Sequence, residues 1–302
     1  MMVNCCMVKR LFAVGLIIAV VGTSIFISGC VTKLDWDVSN EGLLEYRNSP
    51  ECEYQLKTLE TTANYTLYEV VFTSRDSQIA GLLRMPKSEE DVPGVVLLPG
   101  ATVTKEGEQG LAKYLSGLGY ASIAIDQRNL GGIDVQSDLR MFLHGEEPTE
   151  HKMVHDALVA AEVLRTQSGI DPERIVYLGE SNGARFAITA CALDQKARGV
   201  IAISTCGYKV DSAIATGQLN DPNMIRFYRS IDPGTYLSEI PPRKLAMIHS
   251  LNDTIIQYDS AQRTYSRAFA PKELHTVGTA THGYCKEMDA FIEEELEGMA
   301  FS

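Results

Sequence analysis

The sequence of 302 residues predicts an α/β protein with a mostly parallel central sheet and helices on both of its faces. Two observations lead to this prediction. First, after an opening β-hairpin, short apolar and β-branched runs alternate with longer segments of helical spacing, the order typical of parallel sheets. Second, residues 92–100 (VPGVVLLPG) form an uninterrupted apolar run, as strands buried on both faces do. We therefore expect functional side chains at the carboxyl ends of the strands, where ligands of open α/β sheets bind.

The predicted elements follow in order along the chain. The hairpin joins residues 67–74 (LYEVVFTS) to residues 79–86 (IAGLLRMP) through a polar turn at residues 75–78, because alternating β-branched residues on either side of such a turn favour paired strands. Further strands are predicted at residues 92–100, 121–126, 175–179, 199–205, 244–250 and 273–279. Helices are predicted at residues 110–119, 150–167, 182–193, about 256–267 and 286–299.

Two connections, residues 127–149 and 206–243, are longer than the others. Loops of more than about twelve residues in a compact domain are usually functional or disordered. Both connections follow strands at their carboxyl ends, so we expect both to overhang the functional site. Six apolar side chains in them are candidates for an acyl pocket, with plain loop packing an equally good interpretation: Met141, Phe142, Leu143, Met224, Phe227 and Tyr228.

Charge and cysteine content exclude some functions. The formal net charge is −12, whereas nucleic-acid binding needs clusters of Lys and Arg, so we expect no nucleic-acid partner. No CxxC spacing occurs, so we expect no zinc site, and neither another metal nor a cofactor is predicted. Outside the N-terminal segment four thiols remain, for which both free and disulfide-bonded states are open: Cys52, Cys191, Cys206 and Cys285.

The N-terminal segment has the pattern of an export signal. Lys9 and Arg10 precede an uncharged run over residues 11–27, and this run leads into the tetrapeptide Ile27-Ser28-Gly29-Cys30. This tetrapeptide resembles the lipobox of prokaryotic lipoproteins, whose cysteine is lipidated, and the resemblance implies lipidation of Cys30. An uncleaved membrane helix and an ordinary secretory signal are the alternatives.

This pattern divides the chain into residues 1–30 as signal peptide with lipobox, residues 31–60 as a polar tether, and residues 61–302 as the folded domain. Under either anchored interpretation, the domain is exported and held at the outside of the cell membrane or at the outer membrane. Two acyl chains on one cysteine suffice for stable attachment.

The stretch YLGESNGARFA, residues 177–187, contains the strongest functional signal. Ser181 lies two residues beyond a predicted strand and directly before a predicted helix, which requires a sharp, strained turn. Gly179 and Gly183 remove the side chains that would clash in such a turn. The turn would expose the hydroxyl above the sheet at a helix N-terminus, where developing negative charge is favoured. We interpret Ser181 as a nucleophile.

A serine nucleophile needs a base, and His282 is the best candidate. It lies in TATHGYC, between the last predicted strand and the closing helix, at a carboxyl edge of the sheet. His249 ends the preceding strand and could support the site, whereas His275 lies within a strand and is expected to pack. The other histidines, for which a solvated face is expected, are His144, His151 and His155.

Asp253 is the candidate acid that would orient the base. It follows the strand at residues 244–250 in HSLNDTII, in a short loop before a helix, where an N-cap role is the alternative. Asp126 at another strand end is its rival, although we expect it to organise the neighbouring loop together with Arg128. Asp232 precedes a proline and is interpreted as a turn residue.

With Ser181, Asp253 and His282 in this order, each after a different strand, the chain resembles the α/β-hydrolase family from about residue 65 to residue 302. The opening hairpin is most similar to the dienelactone hydrolase and prolyl-oligopeptidase-like branch. The resemblance implies an α/β-hydrolase fold with a short cap and assigns these three residues as a catalytic triad.

The resemblance also implies an oxyanion hole made by the amide that follows the nucleophile and one from the loop after the third strand. By position these are Asn182 and Ala101, with Thr102 close behind. Many members of the family have His-Gly in that loop, whereas this chain has Pro99-Gly100.

These features predict a serine hydrolase that cleaves small-molecule carboxylic esters through an acyl-enzyme intermediate. An amide or small-peptide hydrolase with the same triad is one alternative. The other is a surface lipoprotein that binds ligands on a hydrolase scaffold without catalysis.

Overall fold

The structure is a computed structural model that describes residues 35–48 and 52–301. Its main feature is a nine-stranded mixed sheet, and a separate antiparallel pair, β1 (Trp36–Val38) and β2 (Leu44–Tyr46), precedes it. The strands of the main sheet are β3 (Tyr54–Thr61), β4 (Tyr65–Ser74), β5 (Ser77–Pro86), β6 (Val92–Leu98), β7 (Ala121–Ile125), β8 (Ile170–Glu180), β9 (Gly199–Ile203), β10 (Lys244–Ser250) and β11 (Lys272–Val277).

The spatial order of the main sheet is β11-β10-β9-β8-β6-β7-β5-β4-β3. The six strands from β6 to β11 are parallel to one another, so their carboxyl ends meet at one edge. Strands β3, β4 and β5 form antiparallel hairpins, and β5 joins β7 in antiparallel orientation. This topology confirms the predicted fold class, and the predicted hairpin is the β4–β5 pair, with a two-residue turn at Arg75 and Asp76.

Helices cover both faces of the sheet. The helices are α1 (Gln109–Gly117), α2 (Val135–Leu143), α3 (Thr149–Arg165), α4 (Asn182–Leu193), α5 (Val210–Ala215), α6 (Pro222–Ile231), α7 (Tyr258–Arg267) and α8 (Asp289–Ala300). The sheet separates the apolar core into two layers, and alternate residues of β6 belong to different layers. Val96 packs in the layer with α3 and α4, and Val95 packs in the layer with α1 and α8. Among the described residues, no helix is long and apolar enough to cross a membrane.

The structure corrects the predicted tether at residues 31–60. Within it, β1 and β2 bury Trp36 and Leu44 in the main core, and β3 extends the sheet by pairing with β4. The backbone amide of Leu44 donates to the Tyr236 hydroxyl at 3.0 Å, which ties this segment to the 206–243 connection. Residues 1–34, with Cys30 and the predicted signal peptide, lie outside the described residues.

The two long connections each contain helices. The 127–149 connection holds a 3₁₀ turn at Arg128–Gly131 and α2, and the 206–243 connection holds α5 and α6. Helices α2 and α6 pack against each other, with the rings of Phe142 and Phe227 5.6 Å apart. Phe227 is completely buried in this contact, so packing accounts for its place in the sequence better than an acyl pocket does.

Candidate active site

Ser181 lies at the turn between β8 and α4, as the sequence predicts, and its backbone is strained (φ +51°, ψ −114°). Both flanking positions require glycine, because a side chain at either one would clash with the backbone. A Cβ at position 183 would lie 2.1 Å from the Leu98 carbonyl oxygen, and one at position 179 would lie 2.5 Å from the Gly183 backbone. The turn is further fixed by the Thr205 hydroxyl, which donates to the Ser181 carbonyl at 2.9 Å.

The three side chains predicted from separate strand ends form one hydrogen-bonded chain. His282 Nε2 lies 2.9 Å from Ser181 Oγ, and His282 Nδ1 lies 2.8 Å from Asp253 Oδ2. The Asp253 side chain is fully buried, whereas a quarter of the His282 side chain is exposed. A buried carboxylate against one ring nitrogen fixes the tautomer that leaves the other free to accept the serine proton.

The second oxygen of the Asp253 carboxylate holds its own loop. Oδ1 accepts the amides of Ile255 at 2.8 Å and Ile256 at 3.0 Å. The capping role weighed as an alternative therefore coexists with the contact to His282, since each uses a different oxygen. Three hydrogen-bond partners keep this carboxylate oriented without a counter-cation.

His249 supports this loop from beneath. Its Nε2 donates to the Ile256 carbonyl at 2.7 Å and lies 3.6 Å from Asp253 Oδ2, too far for a good hydrogen bond. Burial lowers the pKa of His249, so the ring is neutral and adds no charge beside the carboxylate.

The remaining histidines lie elsewhere. His275 stacks on Phe291 and its Nε2 lies 2.7 Å from Glu295 Oε1, which makes it a packing residue with a polar partner. His144 is exposed, as expected. The expectation of a solvated face is wrong for His151 and His155, which are buried under β1 and β2 because those strands cover the start of α3.

Asp126 organises the loop after β6. Its carboxylate accepts the Lys105 amide at 2.9 Å and pairs with Lys105 Nζ at 2.6 Å. The expected partnership with Arg128 is wrong, because that guanidinium pairs with the buried Asp156 at 2.7 Å. Asp126 is therefore a loop-positioning residue.

The predicted oxyanion amides belong to the loop after β6 and to the first residue of α4. The Thr102 amide is engaged, since it donates to the Leu130 carbonyl at 2.6 Å. For the amides of Ala101 and Asn182, no acceptor is found among the described residues, which leaves both free to donate to a ligand. Gly100 lies next to the nucleophile, since a Cβ there would be in ordinary van der Waals contact with Ser181 Cβ at 3.6 Å.

A pair of buried carboxyls lies beside the histidine loop, and sequence reasoning missed it. Glu180 Oε2 accepts the Tyr284 amide at 2.7 Å, and a Cβ at Gly283 would lie 2.6 Å from the same oxygen. Burial and the neighbouring Glu180 carboxylate raise the pKa of Glu108 to about 9, so Glu108 keeps its proton and its O–H donates a hydrogen bond to Glu180. The only sequence signal was the acidic residue within the pentapeptide GESNG.

Cys52, Cys191, Cys206 and Cys285 are free thiols in the structure. Cys191 lies in α4 and is buried in the apolar core. Within residues 35–48 and 52–301, no group of three or more His, Cys, Asp or Glu is placed to hold a metal ion.

The six parallel strands, with the Ser181 turn at their carboxyl edge, define a hydrolase of the α/β-hydrolase class. More narrowly, the chain belongs to the acetyl xylan esterase (AXE1) family, whose model matches residues 34–255. The matched range includes Ser181 and Asp253, and His282 lies beyond its end.

Two solved structures have a similar fold, and one curated relative matches part of the chain. Acetyl xylan esterase 1 from Thermoanaerobacterium sp. has a similar structure, with a TM-score of 0.67 and 15% identity over 83% of this chain and 89% of that chain. An acetyl xylan esterase from Paenibacillus sp. R4 also gives 0.67, with 17% identity over 83% and 90%. An uncharacterized protein of Mycobacterium tuberculosis is 32% identical over 121 residues, which span 40% of this chain and only 39% of that relative.

Proposed function

We propose that this protein is a serine carboxylesterase that forms an acyl-enzyme intermediate. The observation that carries the proposal is the continuous chain Ser181–His282–Asp253, with contacts of 2.9 and 2.8 Å. Membership of the acetyl xylan esterase family supports ester rather than amide substrates. The family name makes a small acyl group such as acetyl, carried on a polyhydroxylated alcohol, the first substrate to test.

In the proposed mechanism, His282 Nε2 removes the proton from Ser181 Oγ as the oxygen attacks the ester carbonyl. Asp253 holds the ring and balances the imidazolium charge that forms. The amides of Ala101 and Asn182 stabilise the oxyanion, and one such donor is worth about 3 kcal/mol. His282 then protonates the leaving alcohol and activates a water molecule, which releases the acid and restores Ser181.

The proposal is tested by comparing 4-nitrophenyl acetate with an aminoacyl 4-nitroanilide on the purified protein. We expect turnover of the ester and at most slow turnover of the anilide. The reverse preference would favour the amide hydrolase, and no turnover of either, together with saturable binding of an ester, would favour the non-catalytic binding protein. The connection that follows β9 holds two short helices and no large added domain, which fits small substrates.

We also propose that the protein is a lipoprotein held by Cys30 outside the cytoplasm. Its support is the sequence of residues 9–30, a basic pair, an uncharged run and the lipobox-like tetrapeptide. Replacing the thiol by Cys30→Ser is expected to abolish labelling by a radioactive or alkynyl fatty acid and to leave the precursor unprocessed. Undiminished fatty-acid labelling of this variant, with Cys52→Ser as control, would contradict the proposal.

A further inference from the structure

Arg185 places a fixed guanidinium one helical turn after the nucleophile. It lies on the same face of α4 as Asn182, and its Nη1 donates to Asn182 Oδ1 at 3.0 Å and to the Tyr208 hydroxyl at 2.8 Å. Nε donates to the Cys206 carbonyl at 3.2 Å, and the guanidinium stacks over the Tyr208 ring at 4.3 Å. These contacts fix the plane of the group, while Nη2 has no acceptor among the described residues.

This guanidinium adjoins the site through Asn182. The Asn182 side chain donates to the Gly131 carbonyl at 3.2 Å, and a Cβ at Gly131 would lie 3.1 Å from Ala101 Cα. Arg185 therefore belongs to the wall behind the proposed oxyanion amides. On its other side, Cys206 follows Thr205, whose hydroxyl holds the Ser181 carbonyl.

The charge of Arg185 has no carboxylate partner among the described residues. Glu150 lies close to it and to Tyr208, yet burial and the carboxylate of Asp138 raise the pKa of Glu150 to about 8, so at neutral pH it is mostly protonated. Asp138 is itself committed to the amides of Thr149 and Glu150, each at 3.0 Å. A half-buried cation without a counter-ion is costly unless an anion completes the site.

The buried carboxyl of Glu150 is a second, independent observation that points to a ligand at this site. The residue is only 2% exposed, and its Oε1 atom has no hydrogen-bond partner. Buried polar atoms without a partner are rare and call for an explanation, of which a bound ligand is one. A protonated carboxyl can donate a hydrogen bond to an anion, as Arg185 Nη2 can.

We propose that Arg185, together with Tyr208 and Glu150, forms a subsite that binds a carboxylate group carried by the ester substrate. The inference rests on the proposed esterase function and narrows its substrates to esters with a second, free acidic group. The free Nη2 of Arg185 can donate its two N–H groups to a carboxylate, and hydrogen bonds between charged groups are stronger than those between neutral groups. We therefore expect a preference of roughly tenfold or more in kcat/KM for an acidic ester over a neutral ester of the same shape.

Two matched substrate pairs test this with the full chain. For a carboxylate on the alcohol side, 3-acetoxybenzoate is compared with 3-acetoxybenzamide. For one on the acyl side, monomethyl glutarate is compared with its monoamide, methyl glutaramate. The ratio of kcat/KM within a pair cancels effects on the triad. We expect at least one ratio of about ten or more in the wild-type protein, arising mainly from KM.

Variants assign the preference to the guanidinium. Arg185→Gln is expected to reduce the ratio to about 1. Arg185→Lys should retain part of the preference, because it keeps the positive charge without the planar guanidinium. The exposed control Arg263→Gln should retain the wild-type ratio. A wild-type ratio near 1 in both pairs would overturn this inference even if no variant folds. So would an unchanged ratio in Arg185→Gln. Hydrolysis of the neutral members would then still support the esterase, whereas inertness toward all four esters and toward 4-nitrophenyl acetate would overturn the proposed function itself.

Discussion

At the scale of the residue, the candidate chemistry lies in three side chains contributed by three strand ends. Ser181, Asp253 and His282 could be predicted because each stands directly after an apolar strand, and parallel strands bring those ends to one edge. The Glu108–Glu180 pair could not be predicted in this way, because Glu108, just before α1, and Glu180, at the end of β8, are brought together only by the tertiary fold. Spacing along the chain carries no information about such a contact.

The role of the acid can be measured with Asp253→Asn. The amide keeps the shape but donates where the carboxylate accepts, so it favours the wrong tautomer of His282 and removes the charge that balances the imidazolium. We expect kcat for the ester to fall roughly 10³- to 10⁴-fold with a small change in KM. The matched control is Asp126→Asn, whose carboxylate pairs with Lys105. An equal or larger loss of kcat in the control would mean that the acid is misassigned.

At the scale of the element, most strands and helices follow from periodicity, and the failure to predict β1 and β2 has a clear cause. The strands from β4 to β11 and the five predicted helices are present, with ends displaced by a few residues. The short strands β1 and β2 were missed because three residues give too little alternation to recognise, and their hydrophobic partners lie in α2, α3 and the 206–243 connection. The same strands bury His151 and His155, whose exposure was therefore predicted wrongly.

The β8–α4 turn makes a specific prediction about stability. Gly183→Ala would put a Cβ 2.1 Å from the Leu98 carbonyl oxygen, so β6 or α4 must move, and we expect the free energy of unfolding to fall by about 1–3 kcal/mol. Gly110→Ala in α1 is the matched control, since no atom lies within 4 Å of its added Cβ and alanine favours helix by up to about 1 kcal/mol. Urea unfolding of both variants gives the comparison. Equal stabilities would show that the turn is looser than the structure indicates.

At the scale of the whole molecule, the fold encloses several carboxyls whose pKa lies well above that of an exposed carboxyl. Besides Glu108, burial raises the pKa of Glu147 to about 7 and that of Glu150 to about 8. In the unfolded chain such groups titrate near 4.5. Between the two values the native state binds more protons than the unfolded state, so each group makes the protein less stable as pH rises.

Glu108→Gln isolates one of these contributions. Because the native carboxyl keeps its proton to about pH 9, the wild-type free energy of unfolding falls as pH rises from about 4.5 to about 9, with a slope of at most about 1.4 kcal/mol per pH unit from this group. Glutamine still donates toward Glu180 but does not titrate. We expect the variant to gain stability relative to wild type between pH 5 and pH 8 in urea titrations. The exposed control Glu89→Gln should show no such gain, and parallel pH profiles for wild type and Glu108→Gln would contradict a buried, protonated Glu108.

The central claim, that Ser181 is an activated nucleophile, is tested most directly by a fluorophosphonate probe followed by peptide mass mapping. Because the probe reacts with a serine hydroxyl that a base has activated, we expect stoichiometric modification of the wild-type protein on the peptide containing Ser181. Ser181→Ala should remove the modification completely, whereas the exposed control Ser88→Ala should react like wild type. Labelling that persists in Ser181→Ala, or that maps to another residue in the wild-type protein, would contradict the account.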